Sequence, residues 1–344
     1  MAVAFIPWIF FAVSYLFQSK SFKSILFLSL VSALQLWMNH PQIVYYTWMF
    51  VIIWWIYNSV LNFDKKNNAV SIKLLLLLLI SIFITSLMVI DPYLDIFTFQ
   101  KHSNRGAPSV LDETNETESG TKWDYATQWS FHPAELISFV LPYHFGLQNF
   151  SVKNRTNPSE FMKQASYWGY MPFTQSTHYM GLIVLFLPLV ALLIRFKMKD
   201  FDFFENFLWL ISLLFIFIGF GKYLPLFYQM LFDYAPFFSK FRIPSMIYLI
   251  LIFSFSYLSA SSLDYIVKAK TKYLLNGSKT VLGSFSILFL LMFLFGENLF
   301  SFSSVGDNRF PNYISFVQEI RINYFNKGLW LALVLSVGLL ALVW

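Results

Sequence analysis

Leu74-Leu75-Leu76-Leu77-Leu78-Leu79-Ile80-Ser81-Ile82-Phe83-Ile84-Thr85-Ser86-Leu87-Met88-Val89-Ile90 carries no charge along its whole length, with Lys73 before it and Asp91 after it. About 20 predominantly apolar residues cover the hydrocarbon core of a bilayer. The run therefore reads as a helix that crosses a membrane, and it names the solvent for the rest of the chain. Composition agrees: charged residues make up 12% of the 344, about half the share of an ordinary soluble domain, while 57% are apolar and 21% aromatic. The formal charge of +6 sits in short clusters between apolar runs. It forms no basic aromatic stripe, so it reads as a topology signal and argues against nucleic acid as a partner. Cysteine is absent, which rules out a disulfide framework and thiolate chemistry.

Working outward, apolar windows predict nine spans, near residues 3–17, 24–39, 42–62, 73–90, 179–195, 206–221, 245–263, 281–297 and 328–344. The expected fold class is an all-α membrane protein in three parts: helices over 1–90, a long loop with a short interfacial helix over 91–178, and helices over 179–344. Alternate connections are short and basic, at Lys20 and Lys23, at Lys65, Lys66 and Lys73, at Arg195, Lys197 and Lys199, and at Lys268, Lys270, Lys272 and Lys279. Those face the cytoplasm by the positive-inside rule, so the long loop is expected outside. The same count places Met1 outside with no signal peptide before it, and leads to the expectation that further helices precede Met1 and follow Trp344. Ionisable groups are almost missing from the predicted spans, which argues against a proton-coupled transporter. No pair of broken helices recurs in corresponding halves either.

The polar stretches carry the candidate chemistry. Asn39-His40-Pro41-Gln42, followed by Tyr45 and Tyr46, lies at the end of two spans, with Pro41 suited to a first helical turn. His40, Gln42 and Tyr45 read either as contacts to a sugar hydroxyl or phosphate or as a tight interfacial turn with aromatic anchors. Asp91 and Asp95, four apart, are open to binding a divalent cation, to acid–base work, or to ending a helix before Pro92. The Ser-, Thr- and Glu-rich part from Lys101 to Lys122 reads as a solvated tip with no ligand spacing. Trp129-Ser130-Phe131-His132-Pro133-Ala134-Glu135 predicts a two-turn helix stopped by Pro142, with Glu135 in the first turn where its charge is favoured. Glu135 is then either a helix-start residue or a base or sugar-hydroxyl acceptor. The aromatic run from Tyr167 through Trp168 and Gly169 to Thr174 fits a sugar-stacking face or an interfacial belt. Arg242, before Pro244, is placed to grip a lipid phosphate in bidentate fashion or to snorkel to headgroups.

These blocks, in order, resemble the YfhO-like bacterial membrane proteins over about residues 2–260. They are Asn39-His40-Pro41-Gln42 with Tyr45-Tyr46; Gln128-Trp129-Ser130 with Pro133 and Glu135; Pro142 and Gly146; Tyr167-Trp168-Gly169 with Pro172-Phe173-Thr174; Phe220-Gly221-Lys222; and Phe241-Arg242-Ile243-Pro244-Ser245. The resemblance implies a GT-C-like glycosyltransferase of the bacterial cytoplasmic membrane. Such a protein takes a sugar from a polyprenyl-phosphate donor and passes it to a cell-envelope acceptor on the outer face. It further implies donor phosphate near Arg242 and Lys222, with His40, Gln42, Tyr45, Trp129, His132, Glu135 and Trp168 around the sugar or acceptor. The catalytic carboxylate of such enzymes lies in a first outer loop with no counterpart in this sequence, so no catalytic residue is assigned. The expected partners are membrane lipid and the lipid-linked sugar, with no certain cofactor. The rival expectation is a non-catalytic component that binds or translocates lipid-linked sugar.

Overall fold

The computed structural model describes residues 1–61, 65–100, 122–146, 149–153, 161–172, 178–268, 271–304, 307 and 314–343. The described residues are almost wholly helical. In chain order the helices are α1 (Ile6–Ser19), α2 (Phe22–Trp37), α3 (Pro41–Leu61), α4 (Lys65–Met88), α5 (Ile90–Gln100), α6 (Trp123–Ala126), α7 (Leu182–Met198), α8 (Phe203–Gly219), α9 (Pro225–Tyr234), α10 (Tyr248–Lys268), α11 (Thr271–Leu299) and α12 (Ile314–Val343). Among the described residues one antiparallel hairpin, β1 (Asn149–Lys153) with β2 (Phe161–Ala165), pairs Ser151 with Lys163 at its centre. The sequence reading had no strand there. Among the described residues six helical stretches are long and apolar enough to cross a membrane, and Phe22–Trp37 and Phe203–Gly219 are shorter apolar helices. The chain is thus a multi-pass helical membrane protein.

Local chemistry sets the helix ends. Pro41 and Pro225 open α3 and α9, where a missing N–H costs nothing. Ser21 caps α2 in a reciprocal pair with Ser24, and the Asp202 carboxylate accepts from the amides of Phe204 and Glu205, both at 2.9 Å, to start α8. Two predicted loops are helical. Asp91 and Asp95 fall in the first turns of α5 instead of ending the preceding helix. The stretch before residue 328 is already α12, which begins at Ile314.

Contacts divide the chain into two units, residues 1–129 with 207–253, and residues 130–206 with 254–344. In the first unit α2 packs on α1 and α4. Phe10 meets Phe50 edge-on at 4.2 Å and stacks on Phe253 at 4.5 Å. A polar seam joins these helices: Ser29 donates to the Ser81 carbonyl at 3.1 Å, Thr85 donates to the Ser29 carbonyl at 3.3 Å, and the Gln35 amide reaches both the Ala2 carbonyl and Thr47 Oγ1 at 3.2 Å. Such hydrogen bonds contribute about 0.6 kcal/mol each between membrane helices.

In the second unit α11 packs on α7 and α12, around Phe186, Val190, Ile194, Val281 and Leu282. Two buried ion pairs belong to it. Arg195, read in sequence as a loop cation, sits in the last turn of α7, paired with Glu205 at 2.7 Å and stacked 3.9 Å over the Tyr265 ring. Arg321 on α12, 2% exposed, binds both Asp307 oxygens at 2.6 and 2.9 Å and also the carbonyls of Phe302 and Ser166.

Candidate functional site

The first unit fixes Arg242 through its backbone. Two short 3₁₀ turns, Phe238–Lys240 and Pro244–Ile247, flank it, and both Phe237 and Ile243 have φ of 63°. For a β-branched residue such as Ile243 that region is a genuine outlier and costs on the order of 1–3 kcal/mol. What holds it is hydrogen bonding. The buried Gln42 amide on α3 donates to the Arg242 carbonyl and, at 3.5 Å, to that of Ile243, while the Ile243 N–H donates to the Ala126 carbonyl at 3.2 Å. Gln42 also donates to Tyr46 Oη at 2.9 Å, so its amide is taken up by the protein.

The Arg242 side chain is held as firmly. Its Nη1 donates to Tyr125 Oη, and the guanidinium lies 5.5 Å from the Tyr125 ring and 5.6 Å from the Trp129 ring, within cation–π range. Trp123 anchors this helical turn on α9 through ring contacts with Tyr228 at 5.8 Å and Phe232 at 5.3 Å. The rest of the guanidinium fork is unclaimed among the described residues. Tyr45 packs on Phe241 at 5.1 Å, and His40 accepts the first amides of α3 on its carbonyl while its buried Nδ1 has no partner among the described residues. Lys222 is exposed on a separate turn, Gly221–Tyr223, with its ammonium 5.4 Å from the Tyr223 ring.

Beside this loop lies an apolar cavity of about 1360 Å³, walled by α2, α3, α4, α5 and the 237–241 segment. Tyr45 and Phe241 line it, as do Trp48, Phe97, Asp95 and Lys240. Nothing in the sequence announced it, because its wall is assembled from five separate segments.

The remaining predicted residues lie in the second unit and are mostly interior. Glu135 is in the first turn of a 3₁₀ helix, Pro133–Phe139, as its sequence position suggested. Its carboxylate is 1% exposed and accepts from Tyr167 Oη at 2.7 Å and the Tyr170 amide at 3.0 Å. The expected stabilisation of its charge at a helix start is reversed: desolvation outweighs both hydrogen bonds and pushes the carboxyl up to about 7. His132 caps the same helix, its Nδ1 accepting from the Ala134 amide at 3.1 Å, and its ring stacks on Tyr170 at 3.7 Å. Burial holds its imidazole below the usual histidine range.

Tyr167 and Trp168 are buried, neither an open stacking face nor a surface belt. Trp168 Nε1 donates to the His144 carbonyl at 2.9 Å. His144 is boxed by Phe145, Phe300 and Phe325, and desolvation lowers its imidazole to about 3. Gly146, at φ +77°, lies against the Ser166–Tyr167 backbone so closely that a Cβ would overlap it. The structure thus gathers His40, Gln42, Tyr45, Trp129 and Arg242 into the first unit with Lys222 on a separate turn, and His132, Glu135 and Trp168 into the second. The proposed acidic tip, from 101 to 121, and Phe173 and Thr174 lie outside the described residues.

Among the described residues no cluster of three His, Asp or Glu side chains could hold a metal ion. Asp91 and Asp95 therefore stand on α5 without further carboxylate or imidazole ligands in that set. Tyr125 is the partner of Arg242 that the sequence reading did not include; its signal was the aromatic spacing Trp123, Tyr125, Trp129. Comparison with protein-family models, curated proteins and solved structures returned no match.

Proposed function

We propose that this chain is a GT-C-like transferase of the bacterial cytoplasmic membrane, with nine spans and the 91–178 segment outside. It would move a sugar from a polyprenyl-phosphate donor to a cell-envelope acceptor. The observation that supports this reading is Arg242: a guanidinium fixed by a strained, hydrogen-bonded backbone and by two aromatic rings, on a loop whose Phe237, Lys240 and Phe241 wall an apolar cavity suited to a lipid chain. When the bond from the sugar to the phosphate oxygen breaks, negative charge grows on the departing phosphate. A preorganised guanidinium stabilises that charge in the transition state without reorganising. Tyr45, His40 and Trp129 are the aromatic and imidazole groups of the same unit proposed to border the sugar, and Lys222 is the proposed second cation. No residue of this chain is assigned as the base.

The test is transfer from a labelled polyprenyl-phosphate sugar in membranes holding the complete gene product. Arg242→Ala is expected to lower turnover on the order of 10²–10³-fold, with insertion unchanged, and Arg242→Lys to recover little because an ammonium cannot reproduce the planar fork. Undiminished transfer by Arg242→Ala removes the residue from the site. The apolar cavity also favours a second reading, a component that binds or translocates lipid-linked sugar without turnover; donor binding with no transfer under any acceptor supports it.

A further inference from the structure

We propose that the cavity of the first unit is a binding site for a zwitterionic phospholipid with a primary ammonium head, Lys240 taking its phosphate and Asp95 its ammonium. The transferase reading gives this same cavity to the donor's lipid chain; the labelling below is done without donor or acceptor, so it is decided apart from transfer. The cavity, at about 1360 Å³, exceeds the roughly 300–1,000 Å³ of drug-sized pockets. Its wall is mainly hydrocarbon and aromatic, including Val44, Trp48, Ile82, Phe97 and Phe241, as a pair of acyl chains requires. Two charged residues of opposite sign, Asp95 and Lys240, contribute to that wall. Among the described residues neither charged group has an ion-pair or hydrogen-bond partner.

Charge complementarity selects the head. A bare anionic lipid satisfies Lys240 but sets a second negative charge near Asp95. A neutral amphiphile gains nothing from the exposed Asp95 or the half-buried Lys240. A head carrying phosphate and ammonium meets both charges at once, and a primary ammonium gives Asp95 charge-assisted hydrogen bonds. The depth also fits. Leu94, Ile96, Phe97 and Phe99 are exposed around α5 with Asp95 among them, apolar and charged side chains together as at a headgroup boundary. Tyr93 on the same helix donates to the Leu36 carbonyl at 3.1 Å and ties α5 to α2.

The full chain is reconstituted in nanodiscs containing either an ethanolamine or a glycerol phospholipid with identical diazirine-bearing acyl chains, and the cross-linked peptides are mapped. The ethanolamine lipid is expected to label the cavity segments on the order of tenfold more than the glycerol lipid, the value of one charge-assisted hydrogen bond. Asp95→Asn is expected to bring the two to parity, and Lys240→Gln to lower both. Ile96→Trp, which narrows the cavity at its α5 wall, is expected to lower the labelling of the cavity segments while helix content stays unchanged. Equal labelling in the wild type, preference for the glycerol lipid, an unchanged ratio in Asp95→Asn, or labelling undiminished in Ile96→Trp each overturns the proposal; the last identifies annular lipid as the source.

Discussion

Protonation of Glu135 should govern how tightly the 132–171 region is closed. The carboxyl is buried against Tyr167 and Tyr170 and is raised from its ordinary 4.5 to about 7. The closed form therefore binds a proton that the open form releases. Stability from this group is fully present below about pH 4.5 and is lost as pH rises through 7. At about 1.36 kcal/mol per unit, the difference between closed and open forms reaches about 3 kcal/mol. Amide hydrogen exchange at Tyr170 and Met171 reads it directly. After correction for intrinsic exchange chemistry, protection should fall on the order of a hundredfold between pH 5 and pH 8. Glu135→Gln keeps an acceptor for the Tyr170 amide but cannot ionise, so its protection should be flat over that range and exceed the wild type at pH 8. A wild-type profile that rises with pH would show that the two donors outweigh desolvation, and the same slope in Glu135→Gln would assign the effect to another group.

Two further outcomes follow from buried polar contacts. Gln42→Leu leaves the Arg242 carbonyl without its amide donor at a cost of about 1–3 kcal/mol, and should expose the 237–244 segment to limited proteolysis while helix content stays constant. Arg321→Ala strands the Asp307 carboxylate and should lower the thermal midpoint by the equivalent of about 3–5 kcal/mol, whereas Arg321→Met with Asp307→Leu should recover most of the loss.

The helices were legible because lipid imposes long uncharged runs, and Leu74–Ile90 could hardly be anything else. Arg242 stood out in the sequence by its place before Pro244, which left a phosphate grip and snorkelling to headgroups equally open and gave no sign of its bond to Tyr125. The places of Glu135 and Trp168 were not. Aromatic residues are enriched in membrane interfaces and in buried cores alike, so composition cannot separate the two. The ion pairs escaped for another reason. Arg195 and Glu205 are ten apart, and Arg321 and Asp307 fourteen apart, beyond the three- or four-residue spacing that marks a pair on one helix. The cavity depends on five segments meeting, which no local pattern encodes.

The polar seam of the first unit bears on the order of assembly. Ser29, Ser81, Thr85 and Thr47 each donate to a carbonyl one turn back in their own helix, at 2.9, 2.9, 2.7 and 2.8 Å. Each of these four hydroxyls is therefore satisfied in lipid before any neighbour arrives, and none of them forces its helix onto a partner. Gln35 has no such refuge, because its amide N–H groups reach Ala2 and Thr47 on other segments. The hydroxyls permit many neighbours; the Gln35 amide decides which neighbour α2 keeps.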